Sequence, residues 1–394
     1  MKNNVAIVVN CLKIGGMERV AVNLADAFHD AGHQTDLIYL KNRKKEIEPK
    51  NNDLPVHLFN LKKSVFSTGF GALWFVVCKV LNLVFSKTFP LWFAYAESMA
   101  FKKQLSKLEA QNGQPFDLII FRGQGTFEQL WPIQDKRFVY VCENVQKKNM
   151  YGRLSRWVFT KLFQNRNVTC VSQGALDSFQ DMVETHQITP KKAIVVNNPN
   201  DFINIRQQAE CIQEKLHDKP YVLGLGRLVP QKNFSLLVQA YHYATNTYNL
   251  QQDLVIVGAG NDRDNIEAEV KRLNLTERVH FKGQQTNPFP WYKAADLYVL
   301  SSKHEGLGMV LIESLACGTP VVSTDSRGGV RQIMNGALEP FLAKETPESL
   351  GEAIYFALKH EWDTSFNDYV QETLDKFDGK KIVEAYNDEF AEKQ

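Results

Sequence analysis

The sequence is short of the features that most readily assign a function. Its six cysteines stand at 11, 78, 142, 170, 211 and 317, and no two form a CxxC pair. That spread excludes a disulfide framework and a zinc site of paired cysteines, and suits buried thiols in a reducing compartment. An excess of one charge is also missing. With 46 Lys and Arg against 44 Asp and Glu the net charge is +2, so no global field points to nucleic acid. There is no long hydrophobic run. The most apolar stretch, 69–85, falls short of the roughly 20 residues a membrane span needs and carries Lys79 near its middle. The apolar run at 5–9 is shorter than a signal-peptide core and fits a first strand. Short internal repeats and low-complexity tracts are absent as well.

What is present is a soluble-protein composition, 44% hydrophobic and 23% charged, over 394 residues. That length exceeds what one core usually serves, so two domains are expected. Short apolar runs alternate with helical patterns throughout. Strands fit 5–9, 35–40, 56–59, 118–121, 138–142, 168–171 and 193–196, then 221–225, 254–257, 279–281, 297–300 and 321–323. Helices fit 17–31, 154–163, 234–248, 262–273, 310–317 and 347–358. This alternation predicts parallel sheets covered on both faces, with ligands at the carboxyl ends of the strands. The polar stretch 197–219 reads as the boundary between the halves.

Charge is uneven locally. Between 41 and 107 stand twelve basic residues (41, 43, 44, 45, 50, 62, 63, 79, 87, 102, 103, 107) against four acids (46, 48, 53, 97). Trp74, Phe75, Phe85, Phe89, Trp92, Phe93 and Tyr95 fall in the same region. Two readings fit: an amphipathic element lying on an anionic membrane through residues 69–103, or an inserted helical hairpin packed on its own domain.

Four loops at predicted strand ends could carry chemistry. The first holds Gly15-Gly16 ahead of a helix start, suited to a phosphate or charged sugar group, or only to a tight turn. The second, 224–234, holds Arg227 and Lys232 around Pro230. Two cations on one stiff loop can neutralise a diphosphate leaving group, or can simply be solvated. The third, Val257-Gly-Ala-Gly-Asn261, invites a dinucleotide reading, but the position of the third glycine is Arg263, so it is read as a strand-to-helix turn. The fourth is the most informative: Ser301-Ser302 leads to Glu305 in a glycine-flanked loop, a helix is expected to start near 307–308, and Glu313 lies on that helix. Free amides at such a start suit a phosphate, and a carboxylate can accept hydrogen bonds from sugar or ribose hydroxyls. The bland alternative is two glutamates capping or solvating a helix.

Taken together, these residues resemble glycosyltransferase family 4, the retaining GT-B enzymes. The likeness rests on Gly15-Gly16-Met17-Glu18, Val171-Ser172-Gln173-Gly174, the segment from Asn197 to Pro199, Gly226-Arg227-Leu228 with Lys232-Asn233, the segment from Gly258 to Gly260, and the run from Glu305 to Glu313, a glutamate, seven residues and a glutamate. It implies two Rossmann-like doubly wound α/β domains facing across a cleft: an acceptor-binding domain at 1–200, with a membrane-facing insertion at about 62–107, and a nucleotide-sugar-binding domain at 201–379. A C-terminal helix at 380–394 would cross back to the first domain.

The resemblance also implies roles. Glu305 would hold donor-sugar hydroxyls and Glu313 the ribose. Arg227 and Lys232 would bind the diphosphate. Gly306, Leu307, Gly308 and Met309 would give backbone contacts to sugar and phosphate, Gly226 would shape the phosphate loop, Gly283 and Gln284 would lie near the nucleobase, and Gly15 and Gly16 near the donor phosphate. No metal or other cofactor is expected. The donor would be a UDP-sugar carrying a hexose or N-acetylhexosamine. The acceptor would be a lipid-linked glycan of lipopolysaccharide or capsule assembly, met by an enzyme peripheral to the inner face of the cytoplasmic membrane. One departure stands out. Where many relatives carry a histidine after the strand at 138–142, this chain reads Glu143-Asn144, which makes Glu143 a candidate near the reacting carbon. A sugar-nucleotide epimerase of the same architecture would need acid and base residues around the sugar, and a non-catalytic binding protein would not need intact donor loops.

Overall fold

A computed structural model describes residues 3–13, 15–84, 89–211 and 215–390. Phe85 and Lys87 of the apolar insertion, and residues 391–394 of the expected terminal helix, lie outside the described residues. The chain divides into two compact units. One comprises Met1–Val171, Ala175–Asn200 and Gly379–Gln394; the other comprises Ser172–Gly174 and Asp201–Asp378.

The first unit is built on seven strands: β1 (Asn4–Val9), β2 (Gln34–Tyr39), β3 (Val56–Leu58), β4 (Leu118–Arg122), β5 (Phe138–Cys142), β6 (Asn167–Cys170) and β7 (Lys192–Val195). They lie in the order β3-β2-β1-β4-β5-β6-β7, and every adjacent pair is parallel. Residues Val5 to Val9 are 0% exposed, as expected of a strand covered on both faces. Helix Gly16–Asp30 returns the chain from β1 to β2 and buries Val20, Leu24 and Phe28 on one face. The C-terminal helix Gly379–Phe390 packs against it through Ile382, Val383 and Tyr386, with the Tyr386 ring 6.0 Å from that of Phe28.

Between β3 and β4 the unit carries helices Leu61–Phe66, Gly69–Val84 and Phe89–Asn112. Their inner faces form an aromatic cluster. Phe75 lies 5.1 Å from Phe66, 5.5 Å from Phe89 and 5.8 Å from Phe93, and the Trp74 indole donates to the Trp92 carbonyl at 3.1 Å. Cys78 is fully buried beneath them. The hairpin therefore packs on its own unit along one face. Its other face leaves Phe70, Leu73, Val76, Val80 and Leu83 more than half exposed. No helix among the described residues is long and apolar enough to cross a membrane.

The second unit holds β8 (Tyr221–Leu225), β9 (Asp253–Val257), β10 (Val279–Gly283), β11 (Leu297–Leu300), β12 (His304–Glu305), β13 (Val321–Thr324), β14 (Arg327–Gly328) and β15 (Leu342–Ala343). Six of them make a sheet in the order β10-β9-β8-β11-β13-β15, while β12 pairs with β14 alone. Helices Phe234–Tyr248 and Pro347–Lys359 pack on each other against it. The stretch expected to be a polar linker contains a helix, Phe202–Ala209. Asp201 caps it by accepting from the Asn204 amide at 3.1 Å, and Ile205 and Ala209 bury its apolar side. An N-cap carboxylate and two buried contacts outweigh the polar composition of Arg206-Gln207-Gln208.

The packing of the terminal helix gives a direct expectation. Tyr386→Ala removes a ring that is 0% exposed and should lower the stability of the first unit by about 3 kcal/mol, with Tyr386→Phe costing far less. Hydrogen exchange of the β1, β4 and β5 amides measures both.

Candidate active site

The sheet of the second unit brings most of the candidate residues to one end. β8 runs out into Gly226-Arg227-Leu228, and β9 into Gly258-Ala259-Gly260. These two loops lie backbone against backbone. The Gly226 amide donates to Val257 at 3.0 Å, Leu228 to Ala259 at 3.0 Å, and Asp262 to Leu228 at 2.9 Å. A Cβ on Gly258 would stand 1.9 Å from the Gly226 carbonyl oxygen, and one on Gly260 would stand 2.0 Å from that of Leu228. The glycines at 258 and 260 thus serve close packing against the loop that carries Arg227, which agrees with reading them as a turn. Gly283 ends β10 at φ +68 and accepts from the Gly258 amide at 2.8 Å, and a Cβ there would meet nothing within 4 Å. Gln284 follows it, exposed.

Lys232 and Glu305 meet. The ammonium lies 2.6 Å from Glu305 Oε1, with the two side chains 14% and 10% exposed. The backbone is stitched around them. Ser301 Oγ donates to the Lys232 carbonyl at 2.9 Å, the Lys303 amide to Gln231 at 2.9 Å, and the Gln231 side-chain amide to His304 at 2.8 Å. Arg227, on the same loop, is exposed and makes no ion pair among the described residues. Glu305 belongs to the short β12 and is followed by Gly306 and Leu307, both buried. The Ser172 hydroxyl donates to the Gly306 carbonyl.

Gly308, at φ +94, is the N-cap of helix Met309–Ala316. That left-handed turn favours glycine; Leu311 donates back to the Gly308 carbonyl at 2.9 Å, and the amides ahead of it have no partner within the helix. Glu313 stands on this helix, and the Tyr292 hydroxyl donates to its Oε2 at 3.3 Å. Both Glu305 and Glu313 act on the buried Tyr298 phenol, which burial first and these two charges next push well above its usual range. One buried ring thus feels both carboxylates.

A separate group gathers in the first unit. Arg122, 0% exposed, ends the otherwise apolar β4, and its Nη2 lies 2.7 Å from Glu143 Oε1, 2.9 Å from Oε2 and 2.7 Å from Asn198 Oδ1. Burial raises the Glu143 pKa, against the pull of Arg122 and Asn198, and the charge of Glu18 raises it further. Gly15 is the N-cap of helix Gly16–Asp30, and a Cβ on Gly16 would meet nothing within 4 Å. Sequence reasoning singled out Glu143 and quoted the segment from Asn197 to Pro199, but gave Asn198 no role and did not name Arg122. An arginine closing an apolar strand was the available signal for Arg122.

Among the described residues one cluster could hold a metal ion: His217, Asp253 and His280. It lies at the amino ends of the second sheet's strands, away from the loops above. Both histidine Nε2 atoms stand 3.0 Å from Asp253 Oδ2, while Lys219 and Arg278 lie 3.7 and 3.6 Å from Oδ1. Two cations already balance that carboxylate, so the cluster works as a hydrogen-bonded pin between segment and sheet.

Comparison with known proteins fits this geometry. Residues 206–373 match the family described as glycosyl transferases group 1. An N-acetylgalactosamine-N,N'-diacetylbacillosaminyl-diphospho-undecaprenol 4-alpha-N-acetylgalactosaminyltransferase of Campylobacter jejuni is 34% identical over 190 residues, 48% of this chain and 49% of that protein. A lipopolysaccharide core biosynthesis glycosyltransferase of Rhizobium meliloti, LpsE, is 41% identical over 111 residues, 28% of this chain and 31% of the relative. The chain spans about half the length of the first relative and less of the second. Anabaena HepE, solved with UDP and glucose, superposes with a TM-score of 0.72 at 18% identity, over 98% of each chain. Residues 206–373 are thus similar to the group 1 glycosyl transferases, and the chain has the GT-B fold.

Proposed function

We propose that the protein is a retaining glycosyltransferase that moves a hexose or N-acetylhexosamine from a UDP-sugar to a lipid-linked glycan. One observation carries the reading: Lys232 and Glu305 meet at 2.6 Å on segments beyond the carboxyl ends of β8 and β11, and helix Met309–Ala316 starts just after Glu305. Arg227 and Lys232 neutralise the diphosphate as the bond to the sugar breaks, aided by the helix amides. Glu305 accepts hydrogen bonds from sugar hydroxyls and Glu313 from the ribose. Departure and attack on one face of the sugar, through an oxocarbenium-like state, need no protein nucleophile. Such cations and amides do the work of a metal, so none is required.

On the acceptor side, Glu143 stands in for the histidine common in relatives. Arg122 is its positioning residue, holding the carboxylate in place and favouring its ionised form. The lipid part of the reading is supported by the exposed face of helix Gly69–Val84, flanked by the exposed Lys62, Lys63, Lys102 and Lys103. An exposed apolar helix face in a lysine-rich hairpin suits peripheral contact with an anionic membrane, at the inner face of the cytoplasmic membrane. The relatives that act on diphospho-undecaprenol and lipopolysaccharide core point the same way.

Four measurements follow. Lys232→Ala and Glu305→Ala should each cut transfer at least a hundredfold while circular dichroism stays unchanged, and full activity in both would sink the donor-site assignment. Without acceptor, the enzyme should release UDP slowly; formation of a new sugar nucleotide would favour an epimerase instead. Arg122→Met strands the Glu143 carboxylate and should lower stability by about 3 kcal/mol, most of it recovered in Arg122→Met with Glu143→Gln. For the membrane, Leu73→Glu with Val80→Glu should abolish co-sedimentation with phosphatidylglycerol vesicles, and wild-type protein that fails to sediment would remove that part of the reading.

A further inference from the structure

The first unit contains a cavity of about 670 Å³ that the donor chemistry leaves unused. Its walls come from the start of helix Phe89–Asn112, the segment after β4 and helix Ser155–Phe163. The volume suits a drug-sized ligand. The lining has two characters. One part is apolar and aromatic: Trp131, Leu154, Trp157 and Leu162. The other is cationic: Lys41 and Lys161, neither of which makes an ion pair among the described residues.

An aromatic track leads from the cavity to the exposed side of helix Phe89–Asn112. Tyr95, 43% exposed, meets Trp131 edge-on at 5.0 Å, and Trp131 meets Trp157, 39% exposed, at 5.6 Å. The Trp131 indole is fixed by donating to the Leu91 carbonyl at 3.2 Å. Helix Phe89–Asn112 therefore contributes both to the outer surface and to the cavity wall. The acidic group in the wall, Glu128, is engaged by the Tyr151 hydroxyl, and burial raises its pKa. It opposes an anion less than a solvated carboxylate would. Glu97, the acid whose charge acts on Lys41, is raised by burial to about 7, so it compensates Lys41 only partly at neutral pH.

We infer that this cavity binds a phosphate-bearing lipid, its chain against Trp131, Leu154, Trp157 and Leu162 and its phosphate against Lys41 and Lys161. The inference rests on the lipid-linked reading of the acceptor and gives that acceptor a place. A solvated sugar alone would not need the apolar wall, and a bare phosphate would not need the cavity's volume.

Farnesyl diphosphate, a short soluble probe of this class, tests it by titration calorimetry, with farnesol and inorganic diphosphate as the partial probes. Farnesyl diphosphate should bind, and each partial probe should bind at least tenfold more weakly. Lys41→Met with Lys161→Met should weaken binding tenfold or more. So should Leu154→Glu, at a position 44% exposed where substitution spares the fold. Saturating UDP should not displace the probe. Unchanged affinity in both variants, equal binding of inorganic diphosphate, or displacement by UDP would each overturn the assignment. Binding that obeys these rules without sugar transfer from any UDP-sugar would leave the cavity assigned and remove the transferase reading.

Discussion

The ion pair between Lys232 and Glu305 is the constraint around which the second unit is arranged. Each partner sits on a segment leaving a different strand; Lys232 has no regular structure around it, and Glu305 has only the two-residue pairing of β12 with β14. The pair survives because the backbones around it are tied first, by Ser301 to Lys232, Lys303 to Gln231 and Gln231 to His304. The glycines of the neighbouring turn let β8 and β9 send their loops off in contact. With side chains only 14% and 10% exposed, the two charges are screened less than a surface pair, and their geometry is fixed before any ligand arrives. On the proposed reading, a phosphate-bearing ligand would meet a cation already placed, and its hydroxyls a carboxylate already turned. That preorganisation lets electrostatics contribute to a leaving-group reaction without reorganisation at the moment of bond breaking.

The first unit solves a different problem with similar means. Arg122 is wholly buried, which is costly unless its charge is met. Glu143 and Asn198 meet it at 2.7–2.9 Å. The cluster draws on three strand ends or the loops after them, so it forms only when β4, β5 and β7 are in register. It ties the geometry of a candidate acceptor-side carboxylate to the assembly of the sheet itself.

Much of this was legible in the sequence, and for physical reasons. Parallel strands buried on both faces read as unbroken apolar runs, so β5, β8 and β11 were placed at their observed limits, and helix Phe234–Tyr248 followed from its periodic apolar face. What was missed depended on contacts the chain makes only when folded. Helix Phe202–Ala209 hid in a polar stretch because one cap and two buried residues decide it. The two-residue strands β12 and β14 have no pattern of their own and exist because each pairs with the other. Glu305, Glu313, Arg227 and Lys232 were singled out because glycines and strand ends mark the segments that carry them. The pairing of Arg122 with Asn198 was not, since they lie 76 positions apart and nothing local announces their meeting.

The central claim is that the loops of the second unit hold a uridine diphosphate sugar. A thermal-unfolding series with uridine, adenosine and guanosine diphosphates and with NAD tests it most directly, because a ligand that binds only the folded state raises its apparent stability by mass action. The account predicts a concentration-dependent rise with UDP that Lys232→Ala removes. A rise with NAD alone, or none with any nucleoside diphosphate, would contradict it.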